Sequence, residues 1–376
     1  MTGYNDRNST TEKDKMIYRY LVALFLTVSV LPIQADYQLE TVAEGFDFPW
    51  SLAFLPDGDY LVATLPGKVL RVSKKGDIGA PLAGTPEAFV EGQGGYFDIM
   101  LDNEFITNQT VYLSFAWGEV GANATRIVKA KLGAEGFEEM EVIFTVSPMK
   151  EGGSHYGGKM VQLADGTIVL STGDGFDYRE AAQDTFNQLG KIIRLNKDGT
   201  APADNPFASG ESGNPYVWSY GHRNTQGLVF DSSTNTLYNH EHGPKGGDEI
   251  NRIEAGKNYG WPAITHGINY SGAYVSPFQE APGMEQPLKY WVPSIAPSGF
   301  ALYQGDAFPA WQGDFFVGAL VNKEVRRVDM ENGKAVAEEA LFSELDARIR
   351  EVRVGPDGFL YLLTDSAEGK LIRVRP

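Results

Sequence analysis

The most informative absence in this sequence of 376 residues is cysteine, which does not occur at all. Disulfides, thiolate nucleophiles and cysteine-ligated zinc are therefore excluded, so stability has to come from a packed core. Histidine is scarce, with five residues, which leaves few candidates for imidazole chemistry. Long apolar runs are missing too, because the uncharged stretch Leu21–Leu31 is too short to span a bilayer.

The first 35 residues have the pattern of an export signal. Translation from Met16 would place Arg19 before the apolar run, and the small residue Ala35 ends a cleavage site. We therefore predict a signal peptide over residues 1–35 and a periplasmic or secreted protein without stable membrane insertion. The alternative is an uncleaved segment that stays as a membrane anchor. A lipoprotein anchor is excluded because no cysteine follows.

Basic residues are few relative to acidic ones, 32 against 49, and the formal net charge is −17. Such a balance argues against nucleic acid as a partner. The carboxylates keep the surface soluble and also provide oxygen ligands for calcium. Neither a linker nor a low-complexity stretch divides residues 36–376, so we predict one domain there.

Helical periodicity is nearly absent, whereas short apolar or alternating runs bounded by Gly, Asp, Asn and Pro are frequent. Three units contain an Asp-Gly turn followed by a strand, at 55–62, 163–170 and 355–362. A further strand of similar sequence follows two of them, at 67–72 and 369–374. Less regular copies are at 97–115, 228–253 and 300–328. They predict an all-β, six-bladed β-propeller of four-stranded antiparallel blades. A pair of β-sandwiches is the structural alternative.

The segments between these repeats are rich in Gly, His, Arg, Asn and Tyr, and loops on a rigid scaffold are where binding groups concentrate. They are 91–96, 151–159, 219–227, 240–262, 291–299 and 346–351. Among them, His155 lies between glycines that would leave its imidazole accessible, which makes it a candidate general base. Asp174, after the next strand, could orient it. A structural histidine and an ordinary turn aspartate are the alternatives.

Arg348 and Arg350 are two residues apart on a predicted strand, so both side chains lie on one face. Paired guanidiniums in an acidic protein suggest a polyanionic ligand, and their fork geometry suits carboxylates. Salt bridges to surface acids are the alternative.

The segment 240–249 contains His240, Glu241 and His242, but alternation sends the glutamate to the opposite face, which disfavours zinc. Calcium fits that segment better.

Two motifs are more specific than the rest: the residues of 220–227, Tyr-Gly-His-Arg-Asn-Thr-Gln-Gly, and those of 243–251, Gly-Pro-Lys-Gly-Gly-Asp-Glu-Ile-Asn, followed by Asn-Tyr-Gly-Trp-Pro at 258–262. With them, the chain resembles the soluble quinoprotein glucose dehydrogenases and aldose sugar dehydrogenases from about residue 37 to 376. The resemblance implies a six-bladed propeller that binds pyrroloquinoline quinone (PQQ) across its top face.

The resemblance also implies roles for individual residues. His155 is similar to the family's catalytic base. The positions similar to those that hold the cofactor are Gln93, Arg223, Asn224, Ser294, Arg348 and Arg350. Calcium at the quinone would be held by the carbonyls of Gly243 and Pro244, and a second, structural calcium by Glu249 and the carbonyl of Tyr259.

The implied reaction is oxidation of an aldose at its anomeric carbon to a lactone. His155 would take the hydroxyl proton while a hydride passes to the quinone that calcium polarises. The electron acceptor is not identified by the sequence, and a monomer or homodimer is expected.

Two positions depart from the family pattern. Val321 stands where the glucose dehydrogenases have a lysine, and Lys323 is the candidate to replace it at the cofactor. Ser154 stands where they have an aspartate before the histidine.

Two other classes of function stay open: an exported propeller that binds a glycan or protein without catalysis, and a calcium-dependent lactonase or other hydrolase.

Overall fold

The computed structural model describes residues 37–376, so the predicted signal peptide lies outside the described residues. None of the helices found over 37–376 has the length and apolar character needed to cross a membrane. The helical elements are short: α1 is Phe105–Asn108, and single 3₁₀ turns cover Arg179–Gln183, Pro309–Trp311 and Ser343–Leu345.

Six sheets of four antiparallel strands build the fold, which confirms the predicted six-bladed propeller. In chain order the strands are β1 Gln38–Phe46; β2 Pro49–Phe54, β3 Tyr60–Thr64, β4 Val69–Val72 and β5 Ile78–Pro81; β6 Tyr96–Leu101, β7 Thr110–Glu119, β8 Ala122–Leu132 and β9 Phe137–Thr145; β10 Gly157–Gln162, β11 Ile168–Thr172, β12 Lys191–Leu195 and β13 Val217–Tyr220; β14 Thr225–Asp231, β15 Thr236–Glu241, β16 Asp248–Ile253 and β17 Lys289–Trp291; β18 Pro297–Leu302, β19 Phe315–Ala319, β20 Glu324–Glu331 and β21 Lys334–Leu341; β22 Ile349–Val354, β23 Leu360–Thr364 and β24 Gly369–Arg375.

One edge strand of each blade lies on the inside of a closed ring and is called its inner strand. Thus β2, β6, β10, β14, β18 and β22 each contact the next inner strand, and β22 contacts β2. The last blade has the order β1-β24-β23-β22, so β1 supplies its outer strand. The predicted Asp-Gly turns join the first and second strands of three blades.

Apolar side chains fill the space between neighbouring blades. Ala53, Leu61 and Val69 of one blade, for example, pack against Ile99 and Val111 of the next. Alternating strand faces supply these side chains, and burying each of them stabilises the fold by about 1.5–3 kcal/mol for a residue of leucine size.

Charged side chains meet at the centre of the ring. Lys159 on β10 and Glu351 on β22 form an ion pair of 2.7 Å, although their blades are not neighbours. Arg353 pairs with Asp98 at 2.8 Å. Because these buried charges are matched in number and hydrogen-bonded, the axis is closed by a neutral network.

Every inner strand is irregular at its beginning. The register shifts occur at Pro49/Ser51, Tyr96/Asp98, Gly157/Met160, Thr225/Gly227, Pro297/Phe300 and Ile349/Glu351. Bulges change the direction of side chains next to them and are common beside active sites. Five of the six loops singled out in the sequence lead into these strand beginnings and therefore meet at one end of the ring.

Candidate active site

His155 and Asp174 form a hydrogen-bonded pair at this end of the ring. Nδ1 of His155 lies 2.7 Å from Oδ1 of Asp174. The second carboxylate oxygen accepts a hydrogen bond of 2.8 Å from the indole nitrogen of Trp261. Since Nδ1 faces a carboxylate, it carries the proton, and Nε2 is left with a free lone pair. The arrangement can therefore accept a proton at Nε2.

Burial controls the protonation of this pair. The His155 side chain is 6% exposed and that of Asp174 is 1% exposed. Burial lowers the pKa of His155 below its ordinary value, and the hydrogen bond to Asp174 opposes this effect. For Asp174, burial acts to raise the pKa, but the contacts with His155 and Arg223 keep it lowered. At neutral pH the pair is thus a neutral imidazole beside a carboxylate.

The loop around His155 depends on close backbone contacts. The amide nitrogen of Gln93 donates to the carbonyl of Gly153 at 2.7 Å, and Oε1 of Gln93 accepts from the amide of His155 at 2.9 Å. A β-carbon on Gly173 would come 2.1 Å from the carbonyl oxygen of His155. Glycine is therefore required where β11 ends beside the histidine.

Two buried lysines hold the loops on either side of this pair. Lys150 donates to the carbonyl of Gly152 at 2.8 Å and its ammonium lies 3.7 Å from the Tyr156 ring centre. Lys191 donates to the carbonyls of Ala181, at 2.8 Å, and of Ala182 and Leu189. Burial lowers their pKa values, to about 8 for Lys150 and to about 7 for Lys191. Sequence reasoning missed both, because nothing local marks a lysine as buried.

Arg348 and Arg350 lie on one face, and both guanidiniums contact the carboxylate of Asp365. The guanidinium carbon of Arg350 also lies 3.6 Å from the ring centre of Trp50. Its Nε is buried without a hydrogen-bond partner. Two guanidiniums therefore share one carboxylate, which leaves positive charge for an anionic ligand.

These residues line an open cavity of about 290 Å³, called here the arginine cavity. It is lined by Trp50, Gln93, Phe97, Tyr156, Gly157, Asn224, Gln226, His242, Ala296, Leu320, Arg348 and Arg350. Sequence reasoning found Gln93, Asn224 and both arginines, but missed Trp50 and Asp365. Trp50 lies in the bulge of β2, between Pro49 and Ser51, at the one inner-strand beginning whose loop has no unusual composition.

A second open cavity, also of about 290 Å³, is lined in part by Asp174, the partner of His155, and is called here the aromatic cavity. It is lined by Asp174, Phe176, Asp177, Arg179, Glu180, Arg223, Pro244, Trp261, Asn269 and Tyr270. Phe176 and Trp261 both contact the His155–Asp174 pair: Trp261 donates to Asp174, and the Phe176 ring is edge-on to the imidazole with centroids 5.0 Å apart. Neither aromatic residue was assigned a role from the sequence.

Arg223 lies beside the turn that was expected to hold calcium at the quinone. Its Nη1 donates to the carbonyl of Gly243 at 2.7 Å and to that of His242 at 3.1 Å. Pro244 lines the aromatic cavity. The structure therefore brings Arg223, Gly243 and Pro244 together, with the Gly243 carbonyl already accepting one hydrogen bond.

Ser294 lies close to the site but is directed away from both open cavities. Its hydroxyl donates to Oδ2 of Asp248 at 2.6 Å, and the same oxygen accepts from the amides of Ile295 and Ala296. Oδ1 of Asp248 accepts from the amide of Gly243 at 2.9 Å. Asp248 thus fastens the Gly243 turn to the loop before β18, and Ala296 instead of Ser294 lines the arginine cavity.

Lys323 is exposed and forms an ion pair of 2.8 Å with Asp346. It is not among the residues that line either cavity. Val321, at the position where a lysine was expected, is also exposed. The structure therefore does not bring an ammonium group to the arginine cavity from this segment.

Glu241 and Glu249 face each other across β15 and β16 and line a small cavity of about 10 Å³ together with Tyr259. Burial, followed by the charge of Glu241, raises the pKa of Glu249 well above its ordinary value. Oδ1 of Asn251, on the same face, is buried without a partner. In residues 37–376 no group of three or more acidic or histidine side chains is close enough to hold a metal, so backbone oxygens would have to complete any such site.

The family model for glucose/sorbosone dehydrogenases matches residues 46–373. The chain belongs to this family. The resemblance seen in the sequence is thereby confirmed. A curated member, the aldose sugar dehydrogenase of Escherichia coli strain K12, is 38% identical over 364 residues, which cover 95% of this chain and 98% of the relative.

Solved structures from the family have the same architecture. A crystal structure of a glucose dehydrogenase has a TM-score of 0.87 and 42% identity, and covers 89% of this chain and 99% of its own. The PQQ-bound form of the aldose sugar dehydrogenase from Streptomyces coelicolor has a TM-score of 0.74 and 28% identity, with coverage of 91% and 99%.

Proposed function

We propose that this chain is a sugar dehydrogenase that oxidises aldoses at the anomeric carbon to lactones, with PQQ and calcium as cofactors. The observation that carries the proposal is the His155–Asp174 pair: Asp174 lines the aromatic cavity, and Tyr156 and Gly157, which follow His155 in the chain, line the arginine cavity. The names and ligands of the relatives support it. When bound, PQQ supplies an electrophilic carbonyl that takes up the hydride, and calcium polarises that carbonyl.

The arginine cavity suits a quinone with several carboxylates. Arg348 and Arg350 present guanidiniums on one face, and the unpartnered Nε of Arg350 can donate to an added oxygen. Trp50, under Arg350, offers an aromatic surface for a flat ring. Gln93 and Asn224 have side-chain amides beside them. In this assignment Lys323 has no part, and Ser294 acts through Asp248.

The protein's own chemical contribution is proton transfer and orientation. Nε2 of His155 takes the proton of the anomeric hydroxyl, and Asp174 stabilises the imidazolium that results. The indole nitrogen of Trp261 donates to the second carboxylate oxygen of Asp174, which fixes the plane of the carboxylate. A positioned base of this type contributes about 10²–10⁴-fold to a rate.

We propose two calcium positions with different support. Between Glu241 and Glu249 a divalent cation would neutralise two buried carboxylates, with the carbonyl of Tyr259 as a further oxygen ligand. At the Gly243–Pro244 turn the ligands would be carbonyls, and Arg223 would share the Gly243 oxygen. We also propose export to the periplasm or medium, from the residue pattern of 1–35.

A propeller that only binds a partner would need no oriented base. The 2.7 Å contact of a buried imidazole with a carboxylate, beside two open cavities, favours catalysis over that alternative. A hydrolase would need a group to activate water, and the same His155 would serve as that base, so only product analysis separates these reactions.

The experiment is dye-linked glucose oxidation by the chain from residue 36 onward, with and without added PQQ and calcium, alongside His155→Ala. We expect activity only with both additions, gluconolactone as the product, and at least a 100-fold loss in the variant. Quinone binding without turnover on a panel of aldoses would overturn the sugar reaction. No quinone binding at all would overturn the cofactor as well.

A further inference from the structure

Phe176 has a backbone conformation that phenylalanine rarely adopts. Its φ is +70°, in the left-handed region where a β-carbon is disfavoured. Its amide nitrogen donates to Oδ1 of Asp174 at 2.8 Å, the oxygen that also holds His155. The turn requires a left-handed backbone conformation at this position, but glycine would adopt that conformation without strain.

Burial does not offset this strain, because the Phe176 side chain is exposed over 47% of its surface. Sparsely populated conformations that persist without packing compensation cluster at functional sites. A function of the exposed ring would explain why phenylalanine, and not glycine, occupies this position.

The position of the ring indicates that function. It lies edge-on to the His155 imidazole, with centroids 5.0 Å apart and planes at 81°. It is part of the aromatic cavity, where Arg223 and Asp177 supply polar groups and Tyr270 a second exposed ring. An exposed apolar ring next to polar donors and acceptors matches a ligand with one C–H face and a rim of hydroxyls.

We propose that Phe176 is a substrate-contacting residue that binds the C–H face of an aldopyranose whose anomeric hydroxyl lies at Nε2 of His155. This rests on the proposed function and deepens it, since it assigns recognition of the sugar ring. Stacking removes the axial hydrogens of the pyranose from water without requiring a particular hydroxyl pattern. The site then prefers cyclic aldoses over open-chain polyols, which have no such flat face.

The test is Phe176→Gly, which removes the ring and also relieves the backbone strain. Its melting temperature should equal or exceed that of the wild-type protein, so a loss of activity could not be due to unfolding. We expect KM for glucose to rise about ten-fold with kcat within about three-fold, because the ring acts on binding. PQQ affinity, measured by absorbance titration, should not change, because Phe176 does not line the arginine cavity.

Two further variants make the result specific. Phe176→Tyr should keep the KM of the wild-type protein, since it retains the aromatic face. Phe186→Ala removes another exposed phenylalanine, which lines neither cavity, and should change nothing. An unchanged KM in Phe176→Gly, or an equal loss of PQQ affinity, would overturn the inference and leave the proposed function standing.

The proposed function can also fail separately. If the wild-type protein does not oxidise any aldose, glucose binding can still be measured by saturation-transfer NMR on the PQQ-loaded protein. Binding that Phe176→Gly weakens would support the contact with Phe176, although the proposed reaction would be wrong. Binding that the variant leaves unaltered would overturn both.

Discussion

At the scale of single residues, the chemistry depends on which nitrogen of His155 carries the proton. Asp174 accepts from Nδ1 and so keeps Nε2 available as the base. Trp261 and the amide of Phe176 in turn hold Asp174. A histidine alone would titrate and rotate freely, so the neighbours convert it into a base of fixed direction.

The first prediction concerns Asp174→Asn. An amide can donate to Nδ1 and would favour the tautomer with the proton on Nε2, which cannot accept the substrate proton. We expect kcat to fall about 100-fold or more, with PQQ affinity unchanged, in steady-state assays and absorbance titrations. Asp198→Asn is the matched control, because Asp198 is exposed and lines neither cavity. Retention of activity in Asp174→Asn would contradict the assigned orientation.

The second prediction is the acid limit of activity. His155 is active as a base only when neutral, and burial lowers its pKa below the ordinary value of 6.5. The midpoint of the acid decline of kcat/KM should therefore lie below pH 6.5. A midpoint above 6.5, measured at constant ionic strength, would show that the imidazole is stabilised in its charged form and would contradict this account.

At the scale of elements, bulged inner strands direct loop residues towards the two cavities. The sequence was sufficient to predict the blades, because the three recurring units with an Asp-Gly turn, at 55–62, 163–170 and 355–362, each mark the end of an inner strand. It was also sufficient to predict that Arg348 and Arg350 share a face, since alternation is local. Both guanidiniums do contact Asp365, although Arg348 precedes β22 and Arg350 lies in the bulge between Ile349 and Glu351, where alternation is interrupted.

Contacts between distant segments were not predictable in the same way. Ser294 donates to Asp248, which is 46 residues away, and Trp261 donates to Asp174, which is 87 residues away. Both pairings depend on how blades meet around the ring and leave no local signal. The direction of Lys323 towards Asp346 likewise follows from a left-handed backbone, at φ +56°, that no local motif announces.

The third prediction concerns the β15–β16 pair. Without a cation, the Glu241 and Glu249 carboxylates repel each other in a buried place, so Glu249→Gln should raise the melting temperature of the calcium-free protein. Calcium should raise that of the wild-type protein by binding the folded state only, and should have little effect on the variant. Differential scanning calorimetry in chelator and in calcium measures both.

Glu254→Gln is the control for that experiment, because Glu254 is exposed and pairs only with Arg252. Its response to calcium should match the wild-type response. An undiminished calcium response in Glu249→Gln would contradict a metal at this pair of strands.

At the scale of the whole molecule, one strand decides whether the ring is closed. β1 pairs with β24 from Gln38 opposite Arg375 to Phe46 opposite Gly369. It buries Ala43 and Phe46 and places Glu40 in an ion pair with Arg373. Without it, β24 would become an unpaired edge.

The fourth prediction follows from this pairing. A chain that starts at residue 48 should lose at least about 3 kcal/mol of unfolding free energy, from Phe46 and the strand contacts, and should aggregate more readily. A chain that starts at residue 37 keeps β1 and should match the full-length protein in urea unfolding. Equal stability of the two shortened chains would show that β1 contributes nothing to closure.

The pairing of β1 with β24 also sets the order of events during synthesis. The ribosome releases β1 first, but its partner is among the last residues of the chain, so β1 waits unpaired while the other blades form. Contacts this distant in sequence carry a high entropic cost of loop closure and slow the final step of folding. The ring can therefore close only once β24 has been synthesised, and a chain stalled before its last blade keeps β1 without its partner strand.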